Sequence, residues 1–209
     1  MATITPAYSW PVPTSSDLVK DGATAIEALG DAIDASMNTA LGTKKAGMVL
    51  LNTTSFSGVS AQNFSNVFDS TKYDGYKVIF NTFGSTGGAT TNFRFRENVT
   101  DKATNYYGAG WYTTPGGGSG VNYPENNSAQ VRLVANNTLV QNGNFCAFDI
   151  RVINGGTTAQ LAGFAYDPWN ELSNSFGYRN GSMTAATGFS IYASAGTLTG
   201  KLNLYGYNL

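Results

Sequence analysis

Hydrophobic and polar residues alternate at two different periods along this chain, and the period changes near residue 45. In the first part the apolar residues recur every three or four positions, as they do along one face of an α-helix: Ile26, Leu29, Ile33 and Met37. This spacing predicts a helix from about Ala23 to Ala40, with Asp21 as its N-cap.

After residue 45, apolar and polar residues alternate at period two, which is typical of half-buried β-strands. The alternation predicts that ten segments are strands: 47–52, 76–82, 91–97, 105–112, 129–135, 145–153, 158–166, 174–180, 188–194 and 201–207. Ten short strands without a helix between them predict an antiparallel sandwich or barrel. The long connections 80–95 and 113–128 favour a jelly roll. The expected fold is therefore mainly β: an antiparallel jelly-roll-like β-sandwich (46–209), preceded by an extended arm and one short α-helix (1–45).

The arm that precedes the helix carries prolines, which restrict φ and hold the residue before each of them in an extended conformation. A short aromatic and proline arm has no core of its own, so it orders most readily against a partner. Four arm residues are predicted to attach the chain to another protein: Tyr8, Trp10, Pro11 and Pro13.

The helix is short enough to be marginal in water by itself, so its apolar stripe has to pack against something. It could lie on the β-domain of its own chain, or it could pack on copies of itself. The near-heptad spacing fits a bundle of two to four identical helices. In that case Ile26, Leu29, Ile33 and Met37 are the oligomerisation residues.

Composition narrows the function classes. The chain has 209 residues, a formal net charge of −1 and only 12% charged residues, so it offers no electrostatic case for binding nucleic acid or an anionic membrane. It has no histidine, which excludes Ser-His-Asp and Cys-His catalysis and His-based zinc sites. Its single cysteine, Cys146, cannot form an internal disulfide and is expected to be buried. No secretory leader, membrane span or cofactor is expected.

An enzyme would need a histidine-free mechanism, such as glycoside hydrolysis by two carboxylates. No pair among the acidic residues of the β-domain is singled out by its spacing, and we expect the protein not to be an enzyme. Asp149 and Arg151 are expected to form a surface ion pair. Arg94 and Arg96 are expected to face solvent or a neighbouring subunit.

The segment NYYGAGWYTTPGGGSGVNYPENN (105–127) combines aromatic residues with glycine and amides. Aromatic faces stack on sugar rings and also serve protein contacts, and amides bond hydroxyls. The candidate receptor-binding residues are Tyr106, Tyr107, Trp111, Tyr112 and Tyr123, and Trp169 in FAYDPWNELSN (164–174). The alternative for each of them is a place in the core. The second segment also carries oxygen ligands for calcium, but they are too few to predict a metal site.

The two ends of the chain resemble known proteins. PAYSWPVPTSSDLVKDGATAIEALGDAID (6–34) is similar to the amino-terminal pattern of bacteriophage minor tail and tail-fibre proteins, at Tyr8, Pro11, Pro13, Asp17, Asp21, Gly22, Ala23, Ile26, Leu29 and Asp34. TGFSIYASAGTLTGKLNLYGYNL (187–209) is similar to the closing strands of phage appendage head domains, at Gly188, Phe189, Ile191, Thr199, Gly200, Tyr205 and Gly206. The resemblance implies a virion protein, usually a homotrimer, whose amino end points to the particle and whose β-domain points outward.

The expected function is therefore that of a homotrimeric tail-fibre or tail-tip protein, made in the host cytoplasm and located on the virion. Its partners would be itself, other virion proteins through the arm, and a host-surface glycan or protein. Two alternatives stay open: a capsid decoration or head-fibre protein, and a structural baseplate or tail adaptor that binds no receptor.

Overall fold

The computed structural model describes residues 3–5, 9–12, 19–41, 47–84, 90–113, 120–133, 144–153, 157–167 and 172–208. The chain divides into two compact units, Met1–Gly47 and Met48–Leu209. The attachment and head roles expected for the segments 1–45 and 46–209 stay predictions.

The described residues of the first unit form a two-stranded hairpin and a helix. Strand β1 (Thr3–Ile4) pairs antiparallel with β2 (Pro11–Val12), and helix α1 spans Val19–Leu41. The predicted helix is confirmed, but it begins earlier than expected. Asp21 lies within its first turn and is not the N-cap; its negative charge there still favours the positive end of the helix dipole.

The arm folds back and contacts its own helix. The Thr5 backbone N–H donates to the Trp10 carbonyl oxygen at 2.9 Å, which continues the hairpin. The Trp10 indole Nε1 then donates to Ser36 Oγ of α1 at 2.8 Å. In its described residues the arm is therefore a hairpin tied to the helix, and not the single extended segment that the prolines predicted.

The second unit contains a large antiparallel sheet, with eight strands in the described residues. Their order across the sheet is β3 (Met48–Val59), β15 (Leu198–Asn208), β5 (Tyr73–Gly84), β11 (Asn144–Ile153), β12 (Thr158–Asp167), β13 (Leu172–Asn180), β8 (Tyr106–Thr113) and β9 (Val121–Ser128).

A smaller antiparallel sheet covers one face of the large one. Its order is β10 (Val131–Arg132), β6 (Thr91–Glu97), β14 (Gly188–Ala193) and β4 (Ala61–Phe64), and the short β7 (Thr100–Asp101) pairs with β6. Aromatic rings join the two sheets: the Phe93 ring of β6 lies 5.6 Å from that of Phe148 in β11. The antiparallel β-sandwich is confirmed, and the jelly-roll connectivity stays a prediction.

The core follows from the period-two pattern, because alternate side chains of a strand point to opposite faces of the sheet. In β13, Phe176 and Tyr178 are buried, whereas Gly177 and Arg179 face outward. Cys146 is buried as expected, and its burial raises the pKa of the thiol.

Glycine and aromatic residues are paired across neighbouring strands, which explains why the chain is rich in both. Tyr123 lies directly opposite Gly110, and a Cβ atom added to Gly110 would lie 1.9 Å from the Tyr123 ring. The Trp111 ring covers Gly120 in the same way, at 2.2 Å. A ring lies flat on the adjacent strand only where that strand has no side chain.

All ten predicted strands are present, with shifted ends; of the predicted strand 129–135 the structure describes residues 129–133, among which Val131–Arg132 form β10. In the described residues, five strands were not predicted: Thr3–Ile4, Pro11–Val12, Ala61–Phe64, Thr100–Asp101 and Val121–Ser128. The last lies within the long connection 113–128 and contains Pro124, which argues against a central strand. It fits here because β9 is at the edge of its sheet, where a missing N–H costs little.

The expectation that Arg96 faces solvent is wrong, because its side chain is buried. Its Nη1 lies 2.5 Å from Asp101 Oδ1, and its Nη2 donates to the Val99 carbonyl oxygen. These contacts compensate the buried guanidinium. Arg94 is half-buried, and its guanidinium lies 4.7 Å from the centre of the Tyr192 ring.

Candidate functional site

Two of the predicted receptor-binding tyrosines are core residues, so we do not retain them as surface contacts. The Tyr106 hydroxyl accepts the Phe95 backbone N–H at 2.7 Å and donates to the Lys102 carbonyl oxygen at 2.9 Å. Burial raises the pKa of Tyr106 and also that of Tyr123, whose ring covers Gly110. Both side chains support the fold instead.

The other predicted receptor-binding residues are distributed over different places. Tyr112 is half-buried and packs against the core beside Tyr123, with ring centres 6.0 Å apart. Tyr107 and Trp111 lie on the outer face of the large sheet, and Trp111 is 48% exposed. Trp169 lies outside the described residues.

The outer face of the large sheet carries an aromatic patch, which we define as Trp111, Phe145, Phe164 and Tyr166. Phe164 is 52% exposed and Tyr166 42% exposed. The Phe145 and Phe164 rings lie 5.7 Å apart. Ser175 pairs with both Phe164 and Trp111, so these two exposed aromatic residues belong to one row across three strands.

A groove lies beside this patch on the same face. It has a volume of about 730 Å³, and its lining includes Asp74, Tyr107, Asp149, Arg151, Gln160, Ala162, Gly177, Arg179 and Tyr207. Ala162 pairs with Gly177, and Gly177 pairs with Ala109, so three adjacent strands place small residues in one row. Side chains stand roughly perpendicular to a sheet, and a row of small residues between rows of long ones therefore leaves a trough.

A row of long polar side chains borders the groove on the side away from the aromatic patch. The strand register places Gln160 between Arg151 on β11 and Arg179 on β13, and Arg179 pairs with Tyr107 on β8. The Arg179 guanidinium lies 5.6 Å from the centre of the Tyr107 ring, close enough for a cation–π contact.

The charged side chains at the groove form ion pairs between neighbouring strands. The Asp149 carboxylate contacts Lys77 Nζ at 3.3 Å and accepts the Tyr207 hydroxyl at 2.5 Å. Arg151 Nη2 lies 3.5 Å from Asp74 Oδ2. The expected ion pair between Asp149 and Arg151 is thus replaced by two cross-strand pairs. Exposed pairs of this kind contribute little to stability.

Tyr207 keeps its proton at the groove. Burial, and then its hydrogen bond to the Asp149 carboxylate, raises the pKa of Tyr207 to about 12. The hydroxyl is therefore a neutral donor at physiological pH.

This surface can bind a ligand that has both flat apolar faces and many polar groups. The aromatic patch supplies ring faces for stacking, and the polar row supplies the Gln160 amide, two guanidinium groups and the Tyr107 hydroxyl. Sugars have this combination of surfaces. Within the described residues, no group of three or more His, Cys, Asp or Glu side chains is placed to hold a metal ion.

Sequence reasoning missed Phe164, Tyr166 and Arg179. In TAQLAGFAY (158–166) both faces of the strand carry apolar residues, so the alternation did not show which face was the core. Side-chain size would have given the wrong face, because the buried set consists of the smaller residues Ala159, Leu161 and Ala165. The large aromatic residues occupy the opposite parity.

The residues predicted for oligomerisation lie on α1 and are not buried within the described residues. Ile26 is 65% exposed and Met37 52% exposed, and Leu29 and Ile33 are half-buried. Among the predicted attachment residues, Pro11 is in β2, Trp10 bonds to Ser36, and Tyr8 and Pro13 lie outside the described residues.

Comparison with known proteins identifies no relative. No protein-family model matches the chain, and no curated protein matches its sequence significantly. None of the helical structure in the described part of the chain has the length and hydropathy to span a bilayer.

Proposed function

We propose that this chain is a homotrimeric structural subunit of a bacteriophage tail appendage, which attaches the particle to glycans on the host surface. The observation that carries the proposal is the outer face of the large sheet, where the aromatic patch and the groove lie side by side. A large exposed aromatic surface next to convergent polar groups is typical of a binding site.

The first unit supports the assembly part of the proposal. The apolar stripe of α1 remains accessible along Ile26 and Met37, and a second and a third copy of the same stripe would cover it. Three linked copies would also strengthen binding, because shallow sites that are weak singly gain from simultaneous engagement at fixed geometry. The hairpin that carries Trp10 is the segment we assign to contact with other virion proteins.

A binding assay with the full-length chain tests the attachment role. The fluorescently labelled chain is applied to a set of bacterial cells and immobilised bacterial glycans. The double variant Trp111→Ala, Phe164→Ala is compared with the unmodified chain. We expect the unmodified chain to bind and the double variant to lose at least about tenfold in affinity, since each truncation removes a stacking surface.

Leu50→Ala is the matched control. Leu50 is 53% exposed, similar to Phe164, but it lies on β3 at the far edge of the same sheet. Binding by this variant should equal that of the unmodified chain. If the unmodified chain labels nothing in the panel, or if the double variant binds equally well, the attachment role is rejected.

A further inference from the structure

We propose that the groove on the large sheet selects an anionic saccharide, and that Arg179 receives its negative charge. This inference rests on the proposed attachment to glycans and adds the chemical class of the ligand: a sugar polymer with one negative charge per repeating unit, carried by a carboxylate or a phosphodiester.

The charge balance at the groove points to Arg179. Lys77 is paired with Asp149, and Arg151 with Asp74, so these four side chains neutralise one another. In the described part of the chain, the Arg179 guanidinium contacts the Tyr107 ring and forms no ion pair. The groove lining has two carboxylates and two guanidinium groups, and Lys77, which contacts Asp149 beside the groove, brings the local charge to +1, so Arg179 is the cation left without a carboxylate partner among the described residues.

The Tyr107 ring limits the guanidinium on one side, with its centre 5.6 Å away. Arginine presents a planar fork of N–H donors that fits two oxygens of a carboxylate or a phosphodiester, and a contact with an aromatic ring leaves those donors free. Because less side-chain freedom is then lost on binding, the contact gains affinity.

The strand register provides a second donor beside this fork. Gln160 lies on the strand next to Arg179, and neighbouring strands are about 4.8 Å apart. The Gln160 amide can therefore bond a hydroxyl or a carboxylate oxygen of the same sugar. Arg151 follows one strand further on, about 10 Å from Arg179 between Cα atoms.

The two carboxylates of the groove limit the charge that the ligand can carry. Asp74 and Asp149 would repel a densely charged polyanion, whereas a single charge seated at Arg179 is separated from them by the width of Gln160 and its strand. This arrangement favours a saccharide with one charge per repeating unit over one with clustered charges.

Three polysaccharides test the inference with the full-length chain: hyaluronan, which carries one carboxylate per disaccharide; phosphomannan, which carries phosphodiesters between sugars; and neutral dextran. We expect at least one acidic polymer to bind and dextran to bind at least about tenfold more weakly. The acidic polymer that binds identifies the source of the charge. Added salt should weaken its binding, because the contact is exposed to solvent.

Variants of Arg179 separate charge from geometry. Arg179→Gln should lower the affinity for the acidic polymer about tenfold or more, and Arg179→Lys, which keeps the charge but loses the fork, should lower it less. Lys201→Gln is the matched control. It removes the same charge from an exposed position on the same face, six residues along β15 from Tyr207 and roughly 20 Å away, and should leave the affinity unchanged.

The outcomes distinguish this inference from the proposed function. If cells are labelled but no acidic polymer binds better than dextran, or Arg179→Gln has no effect, the anionic preference is wrong and the attachment role remains. If neither cells nor polymers bind, the attachment role itself is wrong.

Discussion

Filling the groove without disturbing the fold gives the sharpest test of this surface, and Gly177→Phe is the substitution that does so. Gly177 lies on the outer face of β13, in the middle of the row of small residues. A Cβ atom added there meets no other atom within 4 Å. A phenylalanine side chain would therefore stand in the groove and not in the core.

The expected change in stability is small and favourable. Glycine within a strand costs roughly 0.5–1 kcal/mol relative to alanine, because it loses more backbone freedom on folding. Aromatic residues are also favoured in strands. We expect the free energy of unfolding of Gly177→Phe to stay unchanged or to rise by up to about 1 kcal/mol.

Gly177→Phe should, in contrast, weaken ligand binding strongly. A ring at Gly177 separates the polar row from the aromatic patch and occupies the centre of a groove of about 730 Å³. A ligand that needs both surfaces should lose at least about tenfold in affinity, or 1.4 kcal/mol. Urea unfolding measures the first quantity, and binding to the cells or polymers that the unmodified chain recognises measures the second.

Gly110→Ala provides the contrast, because a Cβ atom there would lie 1.9 Å from the Tyr123 ring. Alanine at this position should destabilise the sandwich, although it is the smaller substitution. Two results would refute the reasoning. If Gly177→Phe unfolds the protein, the groove is not open; if it binds normally, the groove is not the binding site.

Three further perturbations test the core, the helix and the buried tyrosines. Phe93→Ala should lower the free energy of unfolding by about 3–5 kcal/mol in urea, because Phe93 is fully buried between the sheets. Ile26→Asp should lower the mass of the proposed oligomer in sedimentation, since it places a charge in the apolar stripe. Raising the pH from about 10 to 12 should destabilise the fold, followed by tyrosinate absorbance and circular dichroism. Burial raises the pKa of Tyr76 to about 12, so its stabilising effect is complete below pH 10, its unfolded value, and is lost as the pH rises through 12. Tyr207 shifts in the same direction.

Two control variants make a similar substitution at a position where it should have little effect. Phe164→Ala removes an exposed phenylalanine and should change stability by no more than about 0.5 kcal/mol. Ala28→Asp adds a charge to the opposite side of α1 and should leave the mass of the oligomer unchanged. Equal losses for Phe93→Ala and Phe164→Ala would contradict the assignment of the core. An oligomer mass that Ile26→Asp leaves unchanged would contradict the helix bundle. A free energy of unfolding that stays constant between pH 10 and 12 would contradict the raised pKa of Tyr76.

The sequence by itself determined the local structure. The change from a period of three or four to a period of two located the helix and ten strands, because each period puts apolar side chains on one face. The failures have local causes as well. Pro124 concealed an edge strand, and the prolines of the arm concealed a short hairpin, which a bond between Trp10 and Ser36 joins to the helix.

Only the tertiary structure decided which side chains reach the surface as a group. Tyr106 and Trp111 lie in one strand at positions of opposite parity, so the sequence puts them on opposite faces, but only the packing of the two sheets decides that the face of Tyr106 is the core. The groove depends on Ala162, Gly177 and Arg179 being aligned across strands, and register is set by the packing of the whole sheet. A binding site on a sheet is built across strands, and the sequence of each strand specifies only its own two faces.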